Sequence, residues 1–401
     1  MTTTSHKNIA KFPTRGKLYS SATLIAPERI TEARQAARYT QSDLARRVGV
    51  SRQAISAYEL GSKTPDPEVL SSLATELNQP LLFFTHKNNC DFGKHSTRFY
   101  RKVGADTKKR NQACNVFSHW LSETTYYFSD MVRLPKVDIP QFEPEDSFRN
   151  LYSEEEIESI AEQVRFHFGL GFGPISNVIR LLEKHGVIVS RYEMTGENIE
   201  AFSFWAGERP FIFLASEKDS AVRARFDAAH ELGHLCMHSW VGDEEIQDKD
   251  RLKTIEVEAN KFAGAFLLPR KSFPNEVYSP RANAFVELKR RWKVAIQAMV
   301  HRCKSLDIFD ERQIVNLYKQ ISYKKWRTAE PLDKGPGAIA FEQPALLPRV
   351  AELVVESGRK TPDDILRETG LSREVLEDLI GVPRGMLDNH GEIEIFPNLK
   401  E

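Results

Sequence analysis

The residues best placed to do chemistry are His230-Glu231-Leu232-Gly233-His234. On a helix, positions i and i+4 share a face. Two imidazoles there can hold one divalent ion, and the intervening glutamate can reach a water activated beside it. The motif continues Arg223-Ala-Arg-Phe-Asp-Ala-Ala, which reads as one amphipathic helix. A third ligand is needed, and Glu256-Val-Glu-Ala-Asn260 on the next helix supplies candidates. Glu256 and Asn260 share a face, so Glu256 could ligate the metal while Asn260 orients a ligand histidine. Glu258, two residues on, points to the nearly opposite side and is the reserve ligand. Such a set suits Zn²⁺ hydrolysis, with Glu231 taking a proton from water and returning it to the leaving amine. A separate oxyanion donor is expected. His238, Arg223 and Arg225 are candidates, and spacing does not choose among them. His238 reads rather as a helix-end residue than as a substrate contact.

A second constellation is Thr40-Gln-Ser-Asp-Leu-Ala-Arg-Arg-Val-Gly-Val-Ser-Arg-Gln-Ala-Ile-Ser-Ala-Tyr-Glu-Leu-Gly61. Thr40 and Asp43 make a capping-box-like helix start, with Leu44, Ala45 and Val48 as its apolar face. Gly49 permits a tight turn, and Ser51 can cap a second helix anchored by Ile55 and Tyr58. Arg52, Gln53, Ser56 and Glu59 are then free to project. Two helices across a short glycine turn are the helix-turn-helix layout. Arg and Gln near the second N-terminus are types that reach guanine and adenine edges.

The elements that must position these residues are mostly helical. A polar arm is expected at 1–26, short helices at 27–85, and a linker with one connecting helix, about 105–133, in 86–150. A domain at 151–330 would hold helices at 153–168 and 175–185. Strands follow at Val187–Tyr192, Glu200–Trp205 and Pro210–Ala215, whose short spacings favour antiparallel pairing. Long helices are expected at 219–238 and 252–267, and an amphipathic helix at 284–304. A loop at 328–345 leads into a helical subdomain, taken as 331–401 and so including most of that loop, with helical runs at 347–357, 361–369 and 372–380. Trp120, Tyr127 and Phe128 read as a core or inter-domain face. Thr369-Gly-Leu-Ser-Arg-Glu374 only faintly resembles a second helix-turn-helix.

The 401 residues carry 56 Lys+Arg and 56 Asp+Glu, but the balance is +9 over 1–140 (21 basic, 12 acidic) and −9 over the remainder. A basic front end suits a polyanion. An apolar content of 41% and a charged content of 28% exclude a disordered chain. No stretch approaches the roughly 18 apolar residues of a membrane span, and Met1 to Lys17 offers no signal-peptide core. Cys90, Cys114, Cys236 and Cys303 form no CxxC pair and read as reduced thiols of a cytoplasmic protein.

The 40–61 text resembles the XRE (Cro/repressor-like) helix-turn-helix family over about 27–85. That resemblance implies a five-helix domain that binds a double-stranded DNA operator, with Gln41 on phosphate and Ser51, Arg52, Gln53 and Ser56 facing the groove. Arg225-Phe-Asp-Ala-Ala-His-Glu-Leu-Gly-His-Leu-Cys-Met-His238 and Ile255-Glu-Val-Glu-Ala-Asn-Lys-Phe-Ala-Gly-Ala-Phe-Leu-Leu-Pro269 resemble the ImmA/IrrE family of metallopeptidases. Gly173-Pro-Ile-Ser176, Gly186-Val-Ile-Val189 and Glu200-Ala-Phe-Ser-Phe-Trp205 look like the subgroup that carries an XRE domain in the same chain. This resemblance implies a gluzincin-like site on an α+β domain, with His230, His234 and Glu256 holding Zn²⁺. It also implies regulatory proteolysis of XRE-related repressors in phage, mobile-element or stress circuits.

The expected fold is therefore mainly α with an α+β domain. It comprises an N-terminal five-helix helix-turn-helix domain, a central gluzincin-like metallopeptidase domain with a small antiparallel sheet, and a helical C-terminal region. The leading functional expectation is a homodimeric DNA-binding regulator whose zinc peptidase cuts itself or a partner repressor on a signal. The alternatives are a non-proteolytic regulator that senses a small effector in the peptidase-like pocket, and an antitoxin or immunity component held by a toxin partner.

Overall fold

The computed structural model describes residues 25–86, 107–145, 151–192, 201–215, 220–242 and 248–388. Almost all of the expected arm, and the turn containing Gly196–Glu197, lie outside the described residues. The chain forms two compact units. One gathers, among the described residues, 25–86, 107–133 and 347–388; the other holds 134–346. No helix among the described residues is long and apolar enough to cross a membrane.

The first unit begins with helices α1 (Pro27–Ala36), α2 (Gln41–Val48), α3 (Arg52–Glu59) and α4 (Pro67–Glu76). The expected fifth helix is a 3₁₀ turn, Leu81–Thr85, which follows Pro80 and buries Phe83 and Phe84. Thr40 and Asp43 cap α2 reciprocally, each backbone N–H lying 3.0 Å from the other's side-chain oxygen. Gly49 ends α2 at φ 73°, a conformation that favours glycine. Ser51 Oγ then accepts from Ala54 N at the start of α3.

Helix α5 (Thr107–Ser129) packs on α1. Arg29 is buried and donates to both oxygens of Glu123 at 3.0 Å and to Glu32 at 2.8 Å. Trp120, fully buried, donates to Glu32 and meets Phe83 and Phe117 edge-on at 5.5 Å. The aromatic stripe is thus a core face of this unit.

The C-terminal helices α13 (Leu346–Glu356), α14 (Pro362–Thr369) and α15 (Arg373–Ile380) complete the same unit. Thr361 and Asp364 repeat the capping box of Thr40 and Asp43. Gly370 (φ 72°) repeats Gly49, and Ser372 repeats Ser51 as the residue before the next helix. Ile365, Leu376 and Leu379 are buried where Leu44, Ile55 and Tyr58 are. The 361–380 segment therefore repeats the caps and buried anchors of the first helix pair, but α14 and α15 pack on each other far less than α2 and α3 do. At the start of α15, Glu374 accepts from Asn78, Gln79 Oε1 accepts from Ser372 N, and Arg373 pairs with Asp388.

The second unit holds α6 (Glu154–His167), α7 (Val178–Lys184), β1 (Ile188–Tyr192), β2 (Ala201–Ala206), β3 (Arg209–Ala215), α8 (Ala221–Met237), α9 (Lys249–Leu267), α10 (Ala284–Trp292), α11 (Ile296–Ser305) and α12 (Glu311–Tyr323). The strand order is β1-β3-β2. The expected all-antiparallel pairing is half correct. β2 and β3 pair antiparallel across the turn at 207–208, with Phe204 against Phe211 and Phe202 against Phe213. β1 pairs with the far edge of β3, in parallel, so the sheet is mixed. Sequence proximity put β1 beside β2, whereas burial of Val187 to Val189 under α7 puts it on the other side.

The helix expected over 284–304 is broken in two at Lys293 (φ 53°). Lys289, within its charged row, is buried and bridges Glu330 at 2.9 Å and Asp333 at 2.7 Å. The loop at 328–345 is fastened to this unit. Glu342 accepts from Val178 N and from Arg225, and Asp333 accepts from Ser220 Oγ. It therefore groups with 134–346 rather than with the helices that follow it.

Candidate metal centre

α8 and α9 lie side by side, and Gly233 permits it: a Cβ there would stand 2.9 Å from Phe262 Cδ1 of α9. The approach brings Glu256 to the two histidines one turn apart on α8. His230 Nε2 and His234 Nε2 are 3.0 Å apart, and Glu256 oxygens lie 3.4 and 3.5 Å from them. Both imidazoles are buried, and Glu256 is 15% exposed. Burial would raise the Glu256 carboxyl, but hydrogen bonds and charge from His230 and His234 hold it far below its ordinary range.

Glu231 is buried on the same helix. Burial pushes its carboxyl up to about 7, against the opposing charge of His234 and a hydrogen bond from Ser203. Ser203 Oγ, on β2, donates to Glu231 Oε2 at 2.7 Å. The carboxyl is thereby poised near neutrality, where one group can both accept and return a proton.

Behind the histidines runs a buried chain of hydrogen bonds. His234 Nδ1 is 3.0 Å from His238 Nδ1, and His238 Nε2 is 3.0 Å from Glu258 Oε2. Glu258 Oε1 accepts from Tyr152 N at 3.0 Å. Burial and the neighbouring His234 and His230 keep His238 well below its usual pKa, hence neutral. With Glu258 accepting from His238 Nε2–H, His238 Nδ1 accepts from His234 Nδ1–H. Loss of the proton that His234 Nε2 shares with Glu256 would then leave a lone pair there, the tautomer a metal ligand needs.

The sequence reading placed these groups unevenly. His230, Glu231, His234 and Glu256 converge. Asn260 donates through Nδ2 to the Glu256 carbonyl of its own helix at 2.7 Å, and the group on the second nitrogen of His234 is His238. Glu258, the reserve ligand, faces His238 rather than the cluster. Of the oxyanion candidates, His238 is buried, Arg225 is buried and bound to Glu342 and Ile175 O, and Arg223 is exposed and donates to Arg327 O. Ser203 was overlooked, its only signal being a small polar residue between Phe202 and Phe204. The His238 role was visible as one more i+4 step along α8.

Two histidines and one carboxylate match the donor set of zinc sites with an open position. The three donor atoms lie within 4.8 Å of one another. The residues present therefore fit the ion.

In the helix-turn-helix, Ser51, Arg52 and Gln53 are exposed and Ser56 is half-buried. Gln41 Nε2 donates to Glu59 at 2.8 Å, tying the start of α2 to the end of α3. Glu59, expected to project, is instead pinned by Arg34, since α1 brings that guanidinium against it. Arg46 is exposed, and Arg47 pairs with Glu76 and lies over the Tyr39 ring.

Two family models match the chain. Residues 30–84 match a helix-turn-helix family, and residues 182–304 match the IrrE N-terminal-like domain. No curated protein matches. The chain thus joins an XRE-type helix-turn-helix to an IrrE/ImmA-like domain, and the second match contains all four residues of the His230 cluster. Together they point to a DNA-binding regulator that carries a peptidase-like domain of a metal-dependent family.

Proposed function

We propose that the protein is a transcriptional regulator whose second unit is a zinc-dependent endopeptidase, cutting a peptide bond in itself or in a partner repressor when a signal arrives. The observation that carries this reading is the pairing of a buried His2Glu donor set with Glu231, whose carboxyl is pushed up to about 7 beside it. A degenerate scaffold would have no need of all four groups.

His230, His234 and Glu256 would hold the ion. Zinc supplies a Lewis acid for the scissile carbonyl and lowers the pKa of water. Glu231 takes the proton of the attacking water and later delivers it to the leaving nitrogen. Ser203 keeps the Glu231 carboxyl oriented by its hydrogen bond. His238 and Glu258 hold His234 in the ligating tautomer. Arg52 and Gln53 read base edges, while Ser51 and Ser56 line the groove beside them. Gln41, at the start of α2, contacts phosphate. The protein acts as a homodimer in the cytoplasm, on paired half-sites of its operator.

The test uses the full chain with zinc, alone and with a candidate XRE-type repressor, under the inducing condition. A cut should appear that Glu231→Gln reduces by roughly 10²–10⁴-fold. A cut of undiminished rate in that variant ends the peptidase reading. Induction that persists in the variant without any cut favours an effector-sensing pocket instead.

A further inference from the structure

We infer that Asp138, His167 and His185 form a second divalent-metal site, of the zinc class, in the unit that carries the His230 cluster. The inference is independent of whether that cluster performs hydrolysis. His167 Nε2 lies 2.8 Å from Asp138 Oδ1, and His185 Nδ1 lies 3.3 Å from Asp138 Oδ2. One donor atom from each residue falls within 4.8 Å of the others. The same span describes His230, His234 and Glu256. Two imidazoles and a carboxylate are the ligand types zinc takes, and a fourth position remains for water.

The three donors come from three separate segments, each held in place. His167 is the last residue of α6, and His185 caps the C-terminal end of α7. Both imidazoles therefore stand at helix ends whose carbonyls favour a cation. The His185 ring lies on Phe168, centroids 4.2 Å apart, and its side chain is 10% exposed. Asp138 belongs to an extended stretch whose amide donates to His185 O at 3.0 Å. That stretch can press so closely because of Gly186 (φ 85°), where a Cβ would meet Lys136 O at 2.6 Å. On the open side, Asp138 is 52% and His167 37% exposed, so an ion can enter from solvent.

A metal here is a staple. It ties the stretch through Asp138 to the ends of α6 and α7 and leaves the His230 cluster untouched. Binding only to the folded form, it raises stability by mass action.

The experiment takes the full chain, stripped by chelator, reloaded with Zn²⁺ and desalted, with metal counted by mass spectrometry. Wild type should hold two ions and the variant H230A/H234A one. Adding Asp138→Asn and His167→Ala, both at exposed positions, should remove the last. The visible spectrum of the Co²⁺ form should disappear with it. Zn²⁺ should also slow tryptic cleavage after Lys136 in H230A/H234A, and not in the fourfold variant. Should H230A/H234A fail to fold, D138N/H167A alone must fall from two ions to one. An H230A/H234A protein that is folded and metal-free overturns the inference, as does an ion that survives in the fourfold variant or a D138N/H167A protein that keeps two. Either result would show a plain His–Asp–His hydrogen-bonded cluster.

Discussion

Gly233 and Phe262 meet so closely that the missing side chain of one is filled by the ring of the other: a Cβ on Gly233 would stand 2.9 Å from Phe262 Cδ1. The glycine of the His-Glu-Leu-Gly-His text is therefore a packing requirement, setting how near α9 brings Glu256 to α8. Gly233→Ala must displace the Phe262 ring or push the helices apart. It should cost about 1–3 kcal/mol of stability by overpacking and lower zinc retention as well. Urea unfolding and metal content check the two effects. A variant as stable and as metal-rich as wild type would show that the close approach is not needed.

His238 and Glu258 would act on a bound metal only through His234. Replacing Glu258 by Gln, or His238 by Asn, should weaken zinc affinity by roughly 10–100-fold while leaving the ligands in place. Competition with a chromogenic chelator measures it. Unchanged affinity in both variants would remove the relay from the account.

Arg52 and Gln53 are the exposed side chains at the start of α3. Arg52→Ala or Gln53→Ala should cost about 1–3 kcal/mol of operator affinity and relax the base preference at one position. Affinity of the full chain should also fall steeply with salt. Equal losses on operator and random DNA would make these residues backbone contacts instead.

Burial would raise the Glu123 carboxyl, but its hydrogen bond with His119 and the charge of Arg29 outweigh it and hold it below its ordinary range. A depressed carboxylate stabilises the fold above its unfolded pKa and loses that contribution as pH falls through the folded one. The first unit should accordingly weaken as pH drops below about 4.5. Glu123→Gln should flatten that part of the profile and cost about 3–5 kcal/mol at neutral pH, because Arg29 loses its main partner in the interior. Thermal unfolding against pH, for wild type and variant, decides it.

Much of this was legible in the chain. Helical period and caps placed α2, α3, α6, α8 and α9 within a few residues, and the i, i+4 rule placed His230 with His234. What escaped had a physical reason in each case. Parallel pairing of β1 depends on what covers β3, not on spacing. Lys289 looks solvated in a charged row, and only Glu330 and Asp333, some forty residues on, show that it is internal. The 362–380 pair keeps the capping and anchor positions of 41–59, with Asp364, Arg367, Gly370, Ser372 and Arg373 matching Asp43, Arg46, Gly49, Ser51 and Arg52, but changes most other side chains. Glu258 was judged by the face of its own helix, yet its partner stands at the end of α8.

Among the described residues the first unit is assembled from 25–86, 107–133 and 347–388, with the second unit inserted between them in the sequence. Scission anywhere in 134–346 would leave a piece of the DNA-binding unit on each fragment. Those pieces are held by Gln79 with Ser372 and by Asn78 with Glu374. Such a nicked protein is a split protein: breaking the covalent bond does not by itself free the operator. Derepression by self-cleavage then requires the halves to dissociate, so its rate is set by fragment concentration and unfolding as much as by chemistry. A scissile bond within the first unit escapes that delay, and so does one in a separate repressor.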